Sequence, residues 1–356
     1  MTRQPLYALA QVFVLILVGC QAGGPGGFLQ QATLPPVPSD VGVGPRSTFV
    51  LATPVGLLGA SADGKIIGRI VELPAGTTPS GVAVHPDGKT IYFALVQSSA
   101  ASAQGVGFGS DIYSVRVDGT DLRPVVARTE PNVFYASPTF DAKGNLYVHR
   151  RQGDVSGTNM ASFQEVKDSL ERVDAATGAR TKVLDDAADP AVSPDGTQII
   201  FMKMDRGQAT DLWIASADGS NARKFLKTDD WFSYLQSPRI SPNGGDVLWS
   251  SVPPTQPKKS SRLPDMPQPR GNGAKMGLAH LDIVSELFVA PLDGTSIKSI
   301  FRTADDVVPS WSPDGKSIAF VLRATFYVIS VADGAVVTRS ENISVIYGDP
   351  VWLKSN

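Results

Sequence analysis

The chain has one cysteine, three histidines and no marked excess of either charge, and each shortage removes a class of function. A single thiol rules out an internal disulfide framework. Lysine and arginine total 32 against 34 acidic residues, for a net charge of −2. The two signs are interspersed without a basic block, so the electrostatic footprint of a nucleic-acid binder is missing. Of the histidines, His85 sits in a turn, His149 ends a strand, and His280 stands beside Asp282 with nothing nearby to complete a metal-ligand set. No Gly-x-Ser-x-Gly elbow occurs, and no length remains for a hydrolase domain beside the repeats described below. The expectation is a chain without catalytic residues, metal or cofactor. The apolar run at residues 6–18 is too short to span a bilayer as a helix.

That run instead suits the core of a signal peptide, preceded by Arg3 and followed by Leu17-Val18-Gly19-Cys20. The tetrapeptide resembles the lipobox of bacterial lipoproteins, in which the cysteine thiol is acylated and becomes the first mature residue. This accounts for a lone cysteine at this position and none elsewhere. Residues 1–19 are therefore expected to be a lipoprotein signal peptide. Residues 20–45, rich in Gly and Pro, are expected to form a tether from the acylated Cys20 to a domain over 46–356.

A turn signature recurs through that domain: His85-Pro86-Asp87-Gly88, Ser193-Pro194-Asp195-Gly196, Ser241-Pro242-Asn243-Gly244 and Ser312-Pro313-Asp314-Gly315, with a degenerate copy at Asp141-Ala142-Lys143-Gly144. Pro presets the first corner, Asp or Asn bonds its own backbone, and Gly takes the position needing φ > 0. A second turn, typified by Val117-Asp118-Gly119 and Ala217-Asp218-Gly219, recurs six times, each time but one after a clear strand. The unit is strand a, Pro-Asp-Gly turn, strand b, variable loop, strand c, Asp-Gly turn, strand d. Such repetition predicts an all-β propeller of four-stranded blades. Six c–d turns face only five a–b turns, and the chain ends on an orphan strand a at Asp349-Pro350-Val351-Trp352. The expected ring is six-bladed, closed when this last strand joins the N-terminal strands b, c and d.

The repeat Pro309-Ser310-Trp311-Ser312-Pro313-Asp314-Gly315, followed by an aromatic strand and Ala332-Asp333-Gly334, resembles that of TolB-type β-propellers. The resemblance covers essentially everything after Arg46. It implies a non-catalytic module that binds an envelope protein or peptide. The lipid expected on Cys20 would hold that module outside the cytoplasmic membrane, and a monomer is expected. Lipidation, and the lack of an N-terminal α/β domain, separate the chain from TolB itself. The alternatives are a metal-dependent hydrolase or lyase acting on a sugar or lactone in the channel, and a carbohydrate-binding lipoprotein.

Strand parity puts both kinds of short turn on one face, which reads as architectural. The opposite face carries the irregular segments 97–110, 129–136, 150–168, 229–236 and 252–285, and variable loops on a rigid scaffold are where binding concentrates. Tyr135, Trp231, Tyr234 and Tyr347 precede inner strands on that face, and Asp189, Asp306 and Asp349 sit near the same rim. These seven residues are the candidate binding face. The insertion 252–285 alternates prolines with Lys258, Lys259, Arg262, Arg270 and Lys275, as a docking arm would.

Overall fold

The computed structural model describes residues 34–97, 106–155, 163–228, 232–253, 284–345 and 348–353. Cys20, Trp231, Tyr347 and nearly all of the 252–285 insertion lie outside them. After a short 3-10 turn at Gly44–Arg46 the described chain is built from strands.

The first sheet combines β1 (Phe49–Thr53), β2 (Gly56–Ala60) and β3 (Ile66–Arg69) with β24 (Asp349–Trp352), in the order β24-β1-β2-β3. The C-terminal strand thus completes the N-terminal sheet, with Leu51 opposite Pro350. Next come β4 (Thr77–Val84), β5 (Thr90–Gln97), β6 (Gly109–Arg116) and β7 (Arg123–Val126), and then β8 (Val133–Phe140), β9 (Leu146–Val155), β10 (Phe163–Val173) and β11 (Arg180–Asp185). These eight strands form one sheet. Its two antiparallel halves are joined by a parallel pairing of only two registers, Gly109 with Val133 and Ser110 with Phe134. Three further four-stranded sheets follow. They are β12 (Ala187–Val192) to β15 (Arg223–Lys224) through β13 (Gln198–Asp205) and β14 (Gln208–Ser216); β16 (Ser233–Ile240) to β19 (Lys298–Thr303) through β17 (Asp246–Val252) and β18 (Ser285–Pro291); and β20 (Ser310–Trp311) to β23 (Val336–Ser340) through β21 (Ser317–Leu322) and β22 (Thr325–Ser330). The fold is an all-β propeller with four-stranded blades.

The core lies between blades rather than inside one. Phe232, Trp249 and Phe288 from the β16–β19 blade pack on Ile200, Leu212 and Phe225 from the preceding one. Phe49 and Leu51 of the first sheet meet Val321 and Phe326 of the last, so the ring closes on apolar contact as well as through β24. Each blade is a sheet with two apolar faces and is stable only when a neighbour covers each of them.

The turns explain why their residues recur. In the Pro-Asp-Gly turns the Ser193 hydroxyl donates to Asp195 at 2.6 Å and accepts the Gln198 N–H at 2.9 Å, and Ser312 repeats this with Asp314 and Ser317. His85 takes the serine position, its Nδ1 accepting the Asp87 N–H at 3.2 Å. The serine hydroxyl first, and then the backbone N–H of Thr197 or Lys316, hold the Asp195 and Asp314 carboxyls below their usual range. In the Asp-Gly turns a second constraint joins the positive φ. A Cβ on Gly294 would stand 2.1 Å from the carbonyl oxygen of Phe225 in the preceding blade, and one on Gly219 2.1 Å from that of Val183. Glycine is required there by the blade-to-blade approach as much as by the turn.

Three expectations are corrected. The tether does not extend to 45: Val43 is fully buried, and the Arg69 N–H donates to the Asp40 carbonyl at 2.7 Å, so this segment packs against β3. The region 150–168 is largely strand, because β9 and β10 continue pairing as far as Val155 with Phe163. Residues 133–136 and 233–236 open the inner strands β8 and β16 and are not loop.

Candidate functional site

The inner strands β4, β8, β12, β16 and β24 surround a channel, and four of them carry the same irregularity. Gly81, Ser137, Asp189 and Ser237 all have positive φ, between 46° and 54°, and each sits at a register shift against the neighbouring strand. The last three precede Pro138, Pro190 and Pro238, which donate no N–H to the ladder. An L-residue in this conformation costs about 1–2 kcal/mol. The resulting bulge turns its side chain out of the ladder and toward the channel. Gly81 has no such side chain, and a Cβ there would stand 3.3 Å from the Ser137 nitrogen.

Among the described residues, two cavities lie along the channel. One, of about 90 Å³, lies on the loop side and is lined by the first halves of the inner strands together with His149 and Arg151 of β9 and Met202 and Met204 of β13. The other, of about 470 Å³, lies on the side of the Pro-Asp-Gly turns among Pro86, Pro138, Pro190, Pro194, Pro242 and Trp311. Gly81, Ser137 and Arg239 line both and mark the waist. The turn face, expected to be only architectural, therefore lines the larger of these two cavities among the described residues.

A buried charge cluster stands beside the loop-side cavity. Asp168 of β10 faces Arg151 across the strand pair. It accepts from Arg151 Nε at 2.7 Å and Nη2 at 3.1 Å, and lies 2.7 Å from His149 Nε2. Arg151 also donates to the Gly207 carbonyl at 3.2 Å, and no member of the trio is more than 5% exposed. Burial pushes the Asp168 carboxyl up, but His149 and Arg151 together outweigh it and hold the group at about 2.

The sequence candidates are scattered around this geometry. Asp189 and Asp349 line the loop-side cavity; Asp189 accepts from the Ser137 hydroxyl, and Asp349 accepts the Gly81 N–H at 3.3 Å. Asp306 is buried and accepts from Gln236, a lining residue, at 3.0 Å. Tyr135 does not face the channel. It is 1% exposed, packed between the two halves of the eight-stranded sheet with the Arg180 guanidinium 5.2 Å from its ring centre. The alternation along β8 explains this, since its neighbour Ala136 is the residue that lines the cavity. Tyr234 is half-buried with φ 53° and is not part of that lining. Trp231, Tyr347 and the 252–285 arm fall outside the described residues.

Sequence reasoning missed Arg151, Asp168 and Arg239. The first two lie where polar residues interrupt a strand and so imitate a loop, and Arg239 follows a proline inside a turn-rich stretch. Among the described residues no three His, Cys, Asp or Glu side chains come together to hold a metal.

No protein-family model matches the chain, and no curated protein matches it in sequence. Solved structures do resemble it. A TolB-type protein of Agrobacterium tumefaciens shares 18% identity at a TM-score of 0.51, over 79% of this chain and 86% of that one. TolB of Acinetobacter baumannii shares 16% at 0.55, over 86% of this chain, which spans 65% of that protein. A chain of a nidogen/laminin complex reaches 0.55 at 8% identity, over 84% and 95% of the two chains. At such identities the likeness is one of fold, and the fold is a TolB-like β-propeller.

Proposed function

We propose that this TolB-like propeller is a non-catalytic binding module for an envelope protein or peptide, anchored outside the cytoplasmic membrane by a lipid on Cys20. The observation that carries the reading is the loop-side cavity. It is concave, mixes apolar Met202, Met204 and Leu235 with polar groups, and is held in shape by the buried Asp168 cluster and the bulged inner strands. A site whose polar groups are already positioned loses little freedom on binding. The ring is read as six blades, the eight-stranded sheet counting as two. Support comes from its join through two registers only, and from the apolar cluster that packs between its halves as others pack between separate sheets. The 252–285 insertion, basic and proline-stiffened, is assigned to docking on the same face.

A photo-crosslinking residue in place of Tyr234 is expected to trap a discrete envelope polypeptide in living cells, whereas one at the exposed Val337 on β23 traps none. Adducts from Val337 alone would overturn the placement. Adducts unchanged on deleting the insertion would remove that arm from the reading. For the anchor, Cys20→Ser is expected to abolish acyl labelling and release the protein from membranes; a variant still acylated and sedimenting with membranes disproves it.

A second reading, a lyase or hydrolase acting on a sugar or lactone in the channel, has the 2.7 Å contact between His149 and Asp168 in its favour. Such a pair resembles a general base with its orienting carboxylate. It ranks second because Arg151 also engages both oxygens of that carboxylate.

A further inference from the structure

Most charged groups along the channel already have a partner. Asp168 is held by His149 and Arg151, Asp306 accepts from Gln236, and Asp349 accepts from Gly81. For Asp189 and Arg239 the described residues supply no counter-charge. Asp189 accepts a hydrogen bond from the Ser137 hydroxyl, and no cationic group of the described residues lies within 4.0 Å of it. Arg239 donates from Nη1 to the Pro238 carbonyl at 2.9 Å, and no carboxylate of the described residues lies within 4.0 Å of its guanidinium. That leaves most of its five donors without a protein acceptor.

Both residues are half-buried, both line the loop-side cavity, and they come from inner strands of neighbouring blades, β12 and β16. Both are also fixed by their backbones. Asp189 holds φ 46° ahead of Pro190, and the Arg239 carbonyl accepts Trp311 Nε1 at 3.1 Å. Opposite charges in one partly dry cavity that are kept from pairing with each other present two separate requirements to a ligand.

We propose that the loop-side cavity takes a ligand segment carrying both an ammonium and a carboxylate, the ammonium on Asp189 and the carboxylate on Arg239. The inference rests on the binding-module reading and specifies the chemistry of what enters. The same pair of charges is offered by a free peptide with both termini ionised and by adjacent lysine and glutamate side chains of an inserted segment.

The test titrates the purified full chain calorimetrically with glycylglycine, its N-acetyl form, which lacks the ammonium, and its amide, which lacks the carboxylate. A capped Gly-Lys-Glu-Gly peptide is compared with a capped Gly-Gln-Gln-Gly peptide in the same way. The doubly charged probe of at least one series is expected to bind about tenfold or more tighter than its neutralised forms, since each lost contact is a charge-assisted hydrogen bond. Preference confined to the dipeptide identifies a small-molecule source; preference confined to the capped peptide identifies an inserted segment. Asp189→Asn, which tolerates positive φ and keeps an acceptor for Ser137, is expected to erase only the discrimination against acetylation. Arg239→Gln is expected to erase only the discrimination against amidation, and Arg239→Lys to restore part of it. Neutral probes binding as well as charged ones, no binding in either series, or both substitutions weakening every probe equally would overturn the proposal. Those results with the Tyr234 adducts intact would leave the binding-module reading standing, whereas loss of the adducts would remove that reading itself.

Discussion

Asp111→Ala is expected to lower unfolding free energy by about 3–5 kcal/mol, read as a drop in the urea midpoint, because it strands a buried guanidinium. Asp111 on β6 accepts from Arg128 Nη1 at 2.6 Å, from the Arg128 backbone N–H at 2.8 Å and from Gln97 Nε2 at 3.1 Å. The two charged side chains are only 1% and 7% exposed, so water cannot replace the lost carboxylate. The location adds to the effect. Arg128 also donates to the Gly107 carbonyl at 2.7 Å, and it stands beside Gly109, where β6 meets β8 through two registers. The pair thus locks the segment leading into β8 onto the preceding blade. Replacing both partners with apolar residues, as in Asp111→Leu with Arg128→Met, is expected to cost less than either single change, because no unpaired charge remains. A loss below about 1 kcal/mol for Asp111→Ala would mean that the pair is solvated or relaxes freely.

Asp168→Asn is expected to cost a similar amount near neutral pH, leaving Arg151 buried without its carboxylate. It also carries a pH signature that a packing defect lacks. The Asp168 carboxyl is depressed from 3.8 to about 2 in the folded protein. Its stabilisation is therefore complete above the unfolded value and is lost as pH falls through the folded one. The shift corresponds to about 2 kcal/mol. Denaturation measured between pH 6 and pH 2 should show the gap between the wild-type chain and Asp168→Asn constant above about pH 5 and narrowing below pH 4. A gap independent of pH would show that the carboxylate is not held ionised by its neighbours.

These two residues also mark where reading the chain in one dimension stops. Pro194-Asp195-Gly196 and its relatives were legible because a turn is built from side chains within a few residues of each other, and the same holds for Ser193 capping Asp195. The orphan strand at Asp349 was legible because it repeats a motif that lacks its partner. Asp111 and Asp168 were not legible, since in sequence each is an ordinary polar residue near a strand end, and their partners lie apart from them in the chain, Arg128 in the connection between β7 and β8 and Arg151 on β9. Tyr135 shows the converse. A tyrosine ahead of an inner strand reads as rim, but Tyr135 and Ala136 are both regularly paired residues of β8, and the alternation of the strand gives the channel to Ala136.

By itself the sequence determined the class of fold, the four-stranded unit and the joining of the last strand to the first three, all of which follow from local turn chemistry and period-two patterning repeated along the chain. Tertiary structure alone decided which polar residues share the channel, which of them already satisfy one another, and that Asp189 and Arg239 find no counter-charge among the described residues. The physical reason is range. Turn preferences act over a few residues of backbone, whereas burial and charge pairing depend on distances in space that the ring brings together from strands remote in the chain.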